Sequence, residues 1–448
     1  MRNTEDRNNL DASERKNVPF YCDRNLSSIM EANSALTRPF PAVNLTSPNK
    51  INLFVRGYFD FQGGYARHTR EVVFGLIDNY SQFNVRIDPL PTPNDINPIV
   101  WNRVSSLTKT PNFDFFNCIH LTIAGPGYAQ KIFLEQTMAK HSNKKIIWTM
   151  IENHPDTTQK RIGEWLQNVD EVWSPTTVDM KRFSRVGIKS KFMPIGVDLN
   201  KYNSRVKPLN IPNLRNKFVF GIFGTWNKRK GIKEIIRAFC KAFTSEDCVV
   251  LFCFCKYGTR PYDEDIEVYS DARKKEDEDK WNIKFEFDRY TKEFDKENLP
   301  HIVLFDIPVQ EDIMQHMMKV ANIVVGFSSG ESTWLPGLES FALSIPVIQL
   351  ASECCGFMDY LTDSNSLLCH EVKYIEADKE LYDGTSEYYK GCKFAQGNED
   401  ELADKMKYAY KNYDKLKEQT VNNAEKVLFN RDWRQVVGSV ANRIMQLR

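Results

Sequence analysis

Residues 321–352 read ANIVVGFSSGESTWLPGLESFALSIPVIQLAS, and the fold of the chain follows from how this stretch divides. An apolar run closes near Gly326, a polar loop follows, a short helix opens at Pro336, and a second apolar run occupies Pro346 to Leu350. Short apolar runs bounded by turn residues fit strands of a parallel sheet buried on both faces. Proline suits a first helical turn, because the N–H it lacks would have had no partner there. The helix N-terminus is therefore expected at the carboxyl edge of a sheet, where its bare N–H groups can receive an anion. Glu331 in the loop and Glu339 in the helix flank that position. A carboxylate can accept both hydrogen bonds of a diol. Glu339 is thus a candidate to grip a ribose, and Glu331 to face whatever hangs beyond the phosphates. The alternative is two glutamates on a solvated rim.

The spacing E-x7-E, with Leu335, Pro336, Leu338, Pro346, Val347 and Ile348 around it, resembles the motif of the retaining GT-B glycosyltransferases of the large group 1, family-4-like type. There the motif runs E-G-F-G-L-P-x-L-E-A and then G-x-P-V-I. In this chain Ser332, Thr333 and Trp334 replace Gly-Phe-Gly, and Ser344 stands where glycine is usual. The family uses small residues in that loop to bring backbone amides close to a diphosphate. The resemblance covers about residues 50 to 446. It implies an α/β architecture of two Rossmann-like domains facing across a cleft, with residues 49–205 on the acceptor side and 206–430 binding the nucleotide sugar. Residues 1–48 read as a polar extension, 259–300 as a charged insertion, and 431–448 as a helix crossing back to the first domain.

The chain before this stretch alternates strands and helices, which argues a parallel sheet. INLFVRGYF, from Ile51, reads as a strand, and FQGGYARHTREVVFGLIDNY as a glycine-rich turn running into an amphipathic helix. Gly63 and Gly64 allow a close backbone approach. This is not the dinucleotide pattern G-x-G-x-x-G, and a tight turn with no ligand is the alternative. The resemblance implies a Gly-Gly loop closing over the donor diphosphate here. His120 is expected to end the strand FDFFNCIHL at the carboxyl edge. The resemblance implies contact of such a histidine with the transferred sugar, while a hydrogen-bonded core histidine is the plainer reading. Glu152, closing KKIIWTMIE, is another carboxylate at that edge.

Past the linker VKPLNIPNLRNK, the segment FVFGIFGTWNKRKGIKEIIRAFCKAF reads as a strand ending at Gly224, a loop with Lys228, Arg229 and Lys230, and a helix from Gly231. Cations ahead of a helix N-terminus oppose its dipole unless they share an anion with it. The loop resembles the family's diphosphate-binding loop, with Lys230 at its lysine, Arg229 as a second cation, and Thr225 where many members have arginine. The alternative is a solvent-facing basic turn. Residues 259–300 are a charged run with a solvated face. It spells Asp-Glu-Asp twice, at 263–265 and 277–279, but away from the strand end where a metal site of the D-x-D kind belongs.

Composition bounds the partners. A formal net charge of +1 over 448 residues gives no polyanion footprint, which argues against nucleic acid. No apolar run approaches the ~18 residues that span a bilayer, and the N-terminus MRNTEDRNNLDASERK is too polar for a signal peptide. The expectation is a cytoplasmic protein, at most peripheral to a membrane. The ten cysteines lack zinc-type pairing and read as reduced, buried thiols. Taken with the resemblance, the expected activity is transfer of a sugar from a nucleotide-sugar donor to a glycan, lipid-linked or other acceptor, with retention of configuration. No metal or separate cofactor is expected, since the nucleotide-diphosphate sugar is itself a substrate. A nucleotide-sugar epimerase, a phosphorylase, or a non-catalytic nucleotide-sugar-binding protein of the same fold remain the alternatives.

Overall fold

The computed structural model describes residues 50–59, 63–90, 98–128, 142–257, 283–305, 311–378, 381 and 387–448. The extension expected over 1–48 and both Asp-Glu-Asp triplets lie outside the described residues.

The first half is β1 (Ile51–Gly57), α1 (Gly64–Asn79), β2 (Phe83–Pro89), α2 (Pro98–Leu107), β3 (Cys118–Ile123), β4 (Lys144–Trp148), α3 (Lys160–Leu166), β5 (Glu171–Ser174), α4 (Thr177–Arg185) and β6 (Ser190–Phe192). Its strands form one parallel sheet in the order β2-β1-β3-β4-β5-β6. The second half is β7 (Phe218–Trp226), α5 (Ile232–Ala242), β8 (Val249–Tyr257), α6 (Ile283–Thr291), β9 (His301–Phe305), α7 (Met314–Met318), β10 (Ile323–Val325), α8 (Leu335–Ala342), β11 (Val347–Leu350) and β12 (Leu367–Cys369). These strands form a second parallel sheet in the order β12-β11-β10-β7-β8-β9.

Chain direction across each sheet reverses once, beside β1 in the first and beside β7 in the second. Open α/β sheets bind ligands at such switch points, outside the carboxyl ends of the strands. The loops that matter are therefore those after β1 and β3 in one half and after β7 and β10 in the other.

Burial follows the sequence pattern. In α1 the residues His68, Thr69, Val72, Val73 and Leu76 are buried, a single helical face turned to the sheet. After β12 the chain forms β13 (Val372–Glu376) and β14 (Lys393–Gly397), an antiparallel pair, then α9 (Glu399–Lys411), α10 (Tyr413–Leu428) and α11 (Trp433–Gln446). α11 returns to the first half: Trp433, Val436, Val437, Val440, Ala441 and Ile444 share a core with Leu53, Val55, Val72 and Leu76. Gly75 makes this close contact possible, since a Cβ there would stand 2.7 Å from Val437.

The β13–β14 arm also reaches across. Leu381, Tyr389, Cys392 and Phe394 join Ile147, Ile151, Ile162 and Leu166 in a second core. Backbone bonds reinforce it: His154 N–H donates to the Lys393 carbonyl at 2.8 Å, and Lys393 N–H to the Thr157 hydroxyl at 2.9 Å. The two halves are thus held at two places outside the cleft, by α11 and by this arm. Among the described residues, no helix is long and apolar enough to cross a membrane.

Candidate functional site

β7 runs to Trp226, two residues beyond the end expected at Gly224, because its pairing with β8 continues through Trp226 and Tyr257. Lys228, Arg229 and Lys230 form a single 3-10 turn, with the Asn227 side chain accepting the Lys230 N–H at 3.1 Å. Gly231 then takes a left-handed φ of 69° and α5 begins one residue later. Only glycine fits there, since a Cβ would lie 2.2 Å from the Phe327 carbonyl oxygen. That tight approach brings the turn after β7 against the loop after β10.

The consequence is a compact charge cluster. Lys230 Nζ is ion-paired with Glu331 Oε1. Arg229 Nη1 donates to the Gly330 carbonyl at 2.6 Å and lies 3.2 Å from Glu152 and 3.4 Å from Glu331. The Ser328 hydroxyl donates to Glu331 at 3.1 Å. Burial raises the Glu331 carboxyl, but Lys230 and Arg229 outweigh it and hold the group below the usual carboxylate range. For Glu152 the balance reverses. Burial dominates, Arg229 only partly offsets it, and the neighbouring Glu331 charge adds to the upward shift.

Two of the departures from the small-residue pattern fall where the backbone itself favours glycine. Trp334 takes φ 48° and Ser344 φ 58°, the left-handed region that glycine occupies at least cost. The Trp334 ring turns inward, against Phe357 at 5.8 Å, over Gly326 and Gly337, whose missing Cβ atoms leave the room. Its bulk therefore lies in the core. α8 starts at Leu335 with Pro336 in its first turn, and Glu339 is the fifth helical residue, buried at 3 % exposure.

The first half meets this loop closely. A Cβ on Gly64 would touch Leu335 at 3.7 Å, so the Gly63–Gly64 turn sits over the start of α8. Arg67, one turn into α1, is ion-paired with Glu339 and lies 5.2 Å over the Tyr202 ring. Gly330 is pressed on the Glu152 carbonyl, where a Cβ would stand 1.8 Å away. Behind the cleft, Asp179 and Arg182 form a fully buried ion pair at 2.8 Å. Arg182 donates to the Cys354 carbonyl at 2.7 Å, and the Ser332 hydroxyl donates to Asp179 at 2.5 Å. Two second-half backbone segments are thus anchored to one first-half helix.

Of the residues singled out in the sequence, Gly63, Gly64, Arg229, Lys230, Glu331, Leu335 and Glu339 come together at this junction. His120 does not end its strand. β3 continues to Ile123, because its ladder with β4 extends to Trp148. His120 stands inside the sheet, its ring 5.0 Å from Phe54 and 3.4 Å from the Thr122 hydroxyl. Burial, with Arg56 and Lys145 nearby, pushes its pKa down to about 3, so it is neutral and part of the sheet's packing. Sequence reading missed Arg67, Asp179, Arg182 and Tyr389. The signal for Arg67 was its place on α1 just past the double glycine. Nothing local marks the contacts that the other three make across the halves, to partners more than 150 residues away in sequence.

No protein-family model and no curated protein matches the sequence. Solved structures do match over nearly the whole chain. The HepE protein of Anabaena, in complex with UDP-glucose, superposes with a TM-score of 0.60 at 13% identity, covering 88% of this chain and 100% of its own. The OtsA trehalose-6-phosphate synthase gives 0.58 at 10% identity, covering 89% and 99%. Sucrose-phosphate synthase from Thermosynechococcus elongatus gives 0.56 at 11%, covering 89% and 99%. Two doubly wound parallel sheets, their switch points facing across a cleft and a final helix returning to the first, give this chain the GT-B fold.

Proposed function

We propose that the protein is a glycosyltransferase that takes a sugar from a nucleotide-diphosphate donor and passes it to an acceptor hydroxyl with retention of configuration. The observation that carries this reading is the cluster of Lys230, Arg229 and Glu331 at the second-half switch point, beside the start of α8 that the Gly63–Gly64 turn covers. The solved HepE structure holding UDP-glucose in the same fold supports a nucleotide sugar as donor.

Each group has a task in this reading. Breaking the bond between sugar C1 and the diphosphate oxygen leaves the bonding electrons on the diphosphate. In this reading Lys230, Arg229 and the α8 N-terminus would face that charge as it develops and stabilise it. The acceptor oxygen forms its bond to C1 on the face the diphosphate leaves, and its proton passes to the departing phosphate oxygen. Glu331, ionised and fixed by Lys230 and Ser328, would stand beside the ring as positive charge grows on it. Glu339 would hold the ribose diol, its carboxylate sharing that duty with the ion pair to Arg67. The two cations supply the positive charge that a metal provides in other transferases, so turnover is proposed to need none. His120 is given no role.

The test is a thermal-shift panel of nucleoside diphosphates, followed by donor turnover with whichever raises the melting temperature. A ligand at ~100 times its dissociation constant adds about 2.7 kcal/mol of stability, well within reach of the method. No shift from any diphosphate would defeat the proposal. A shift with no transfer or donor hydrolysis would favour the non-catalytic alternative.

A further inference from the structure

We infer that the second half carries a separate binding site for a small phosphate monoester, at the amino-terminal edge of its sheet. The site is independent of the transferase reading above, since the cleft lies at the carboxyl ends of the same strands. A pocket of about 280 Å³ opens there. It is framed by Pro208 of the linker, Lys319 and Asn322 between α7 and β10, Ser344 between α8 and β11, and Tyr413 and Lys417 of α10. Ligand pockets usually span about 300–1,000 Å³, so this one suits a small molecule and not a nucleotide sugar.

The pocket gathers positive charge with nothing to balance it. Lys319 Nζ donates to the Leu343 carbonyl, just past α8, and Lys417 Nζ stands 5.7 Å over the Tyr413 ring. No carboxylate lines the pocket, and among the described residues neither lysine has one within ion-pair distance. Lys230 and Arg229 in the cleft, by contrast, each have a carboxylate partner. Burial, with the Lys417 charge adding to it, holds the Lys319 pKa below the usual lysine range. An anion between the two ammonium groups would relieve both effects.

Neutral donors complete the lining. The Asn322 side-chain oxygen accepts the Val219 N–H at 2.8 Å, which fixes the amide and leaves its nitrogen to donate. Ser344 is 7% exposed, and its hydroxyl has no partner among the described residues. Its φ of 58° is one that glycine adopts at less cost. A serine there costs backbone energy, and its hydroxyl gains nothing within the protein.

This set of groups fits a phosphate monoester. Such a group carries close to two negative charges at neutral pH, one for each ammonium, and has further oxygens for the hydroxyl and the amide. A carboxylate brings one charge to two ammonium groups, and a neutral ligand brings none. The Tyr413 ring offers the carbon part of the ester an apolar wall.

Isothermal titration calorimetry on the full chain, with glycerol 3-phosphate and phenyl phosphate as probes and glycerol as the uncharged control, tests this. At least one ester is expected to bind saturably, and glycerol not to bind. The ester's affinity should fall about tenfold or more in Lys417→Ala, which removes a charged partner, and about threefold or more in Ser344→Gly, which removes a neutral one. Lys417 is exposed and glycine suits the backbone at position 344, so both variants should keep the melting temperature of the wild type. In Lys230→Ala the affinity should be unchanged. No saturable binding by either ester, equal binding of glycerol, or an affinity unchanged in either pocket variant overturns the inference. Binding lost in Lys230→Ala and kept in Lys417→Ala would put the phosphate in the cleft, and overturns it as well.

Discussion

The two sheet edges that face each other across the cleft are built from opposite materials. The second-half edge is charged: Lys230, Arg229 and Glu331 meet within ion-pair distance, and the arrangement is fixed by backbone contacts such as Gly231 on Phe327. The first-half edge is aromatic, with Tyr58, Tyr65 and Tyr128 packed ring to ring. Charge that develops during a reaction is stabilised best by preorganised cations. Under the proposed transfer reaction the charged edge would take the leaving diphosphate, and that reading can be broken.

The largest effect is expected from Lys230→Ala. It removes the central cation of the charged edge, and transfer should fall by roughly a hundredfold or more, in line with loss of one preorganised donor to a developing charge. Near-normal turnover at saturating donor would show that the charged edge does not carry the diphosphate.

The two glutamates sharpen the same edge. Glu331→Gln should lower kcat by roughly a hundredfold, because its carboxylate matters more as charge grows on the sugar. Glu339→Gln should raise the donor KM and leave kcat nearly alone, since a ribose contact is made about equally before and during the reaction. Steady-state kinetics against donor concentration decide it, and the reverse pattern would mean the donor lies the other way round.

A third expectation separates the halves by pH. His68, between Trp148 and Trp433 in the first-half core, is held neutral by burial with its pKa lowered to about 3, as is that of His120. The unfolded chain takes up protons on these groups near pH 6.5 while the folded chain refuses them. Stability from each is therefore complete above that pH, and it declines by about 1.4 kcal/mol per unit as pH falls from 6.5 toward 3. In urea titrations between pH 6.5 and 4.5, His68→Phe should show the shallower pH dependence. An identical slope would mean that His68 is not buried as a neutral group.

The smallest effect is expected from a chelator. Turnover in EDTA should match turnover without it, the two cations serving where a metal otherwise would. Loss of activity restored by magnesium or manganese would reopen the Asp-Glu-Asp triplets of the charged insertion.

The alternation of strands and helices was legible in the sequence because buried parallel strands must be short apolar runs, and helices that cover them must show one apolar face. The loop at Glu331 and the basic turn at Lys230 were legible for a related reason. Glycine, proline and charge at a strand end have few local explanations. At Trp334 and Ser344 the sequence shows the residue type but not the left-handed φ that makes glycine the usual choice there. His120 was misplaced by three residues, since a strand's end is set by how far its neighbour's ladder runs, here to Trp148. The pairing of Arg67 with Glu339, the hold of Asp179 and Arg182 on Ser332 and Cys354, and the packing of Tyr58 on Tyr128 were decided by tertiary structure alone. Each joins elements far apart in the chain, and no local preference encodes which distant side chain will face a buried charge or complete a ring of aromatics.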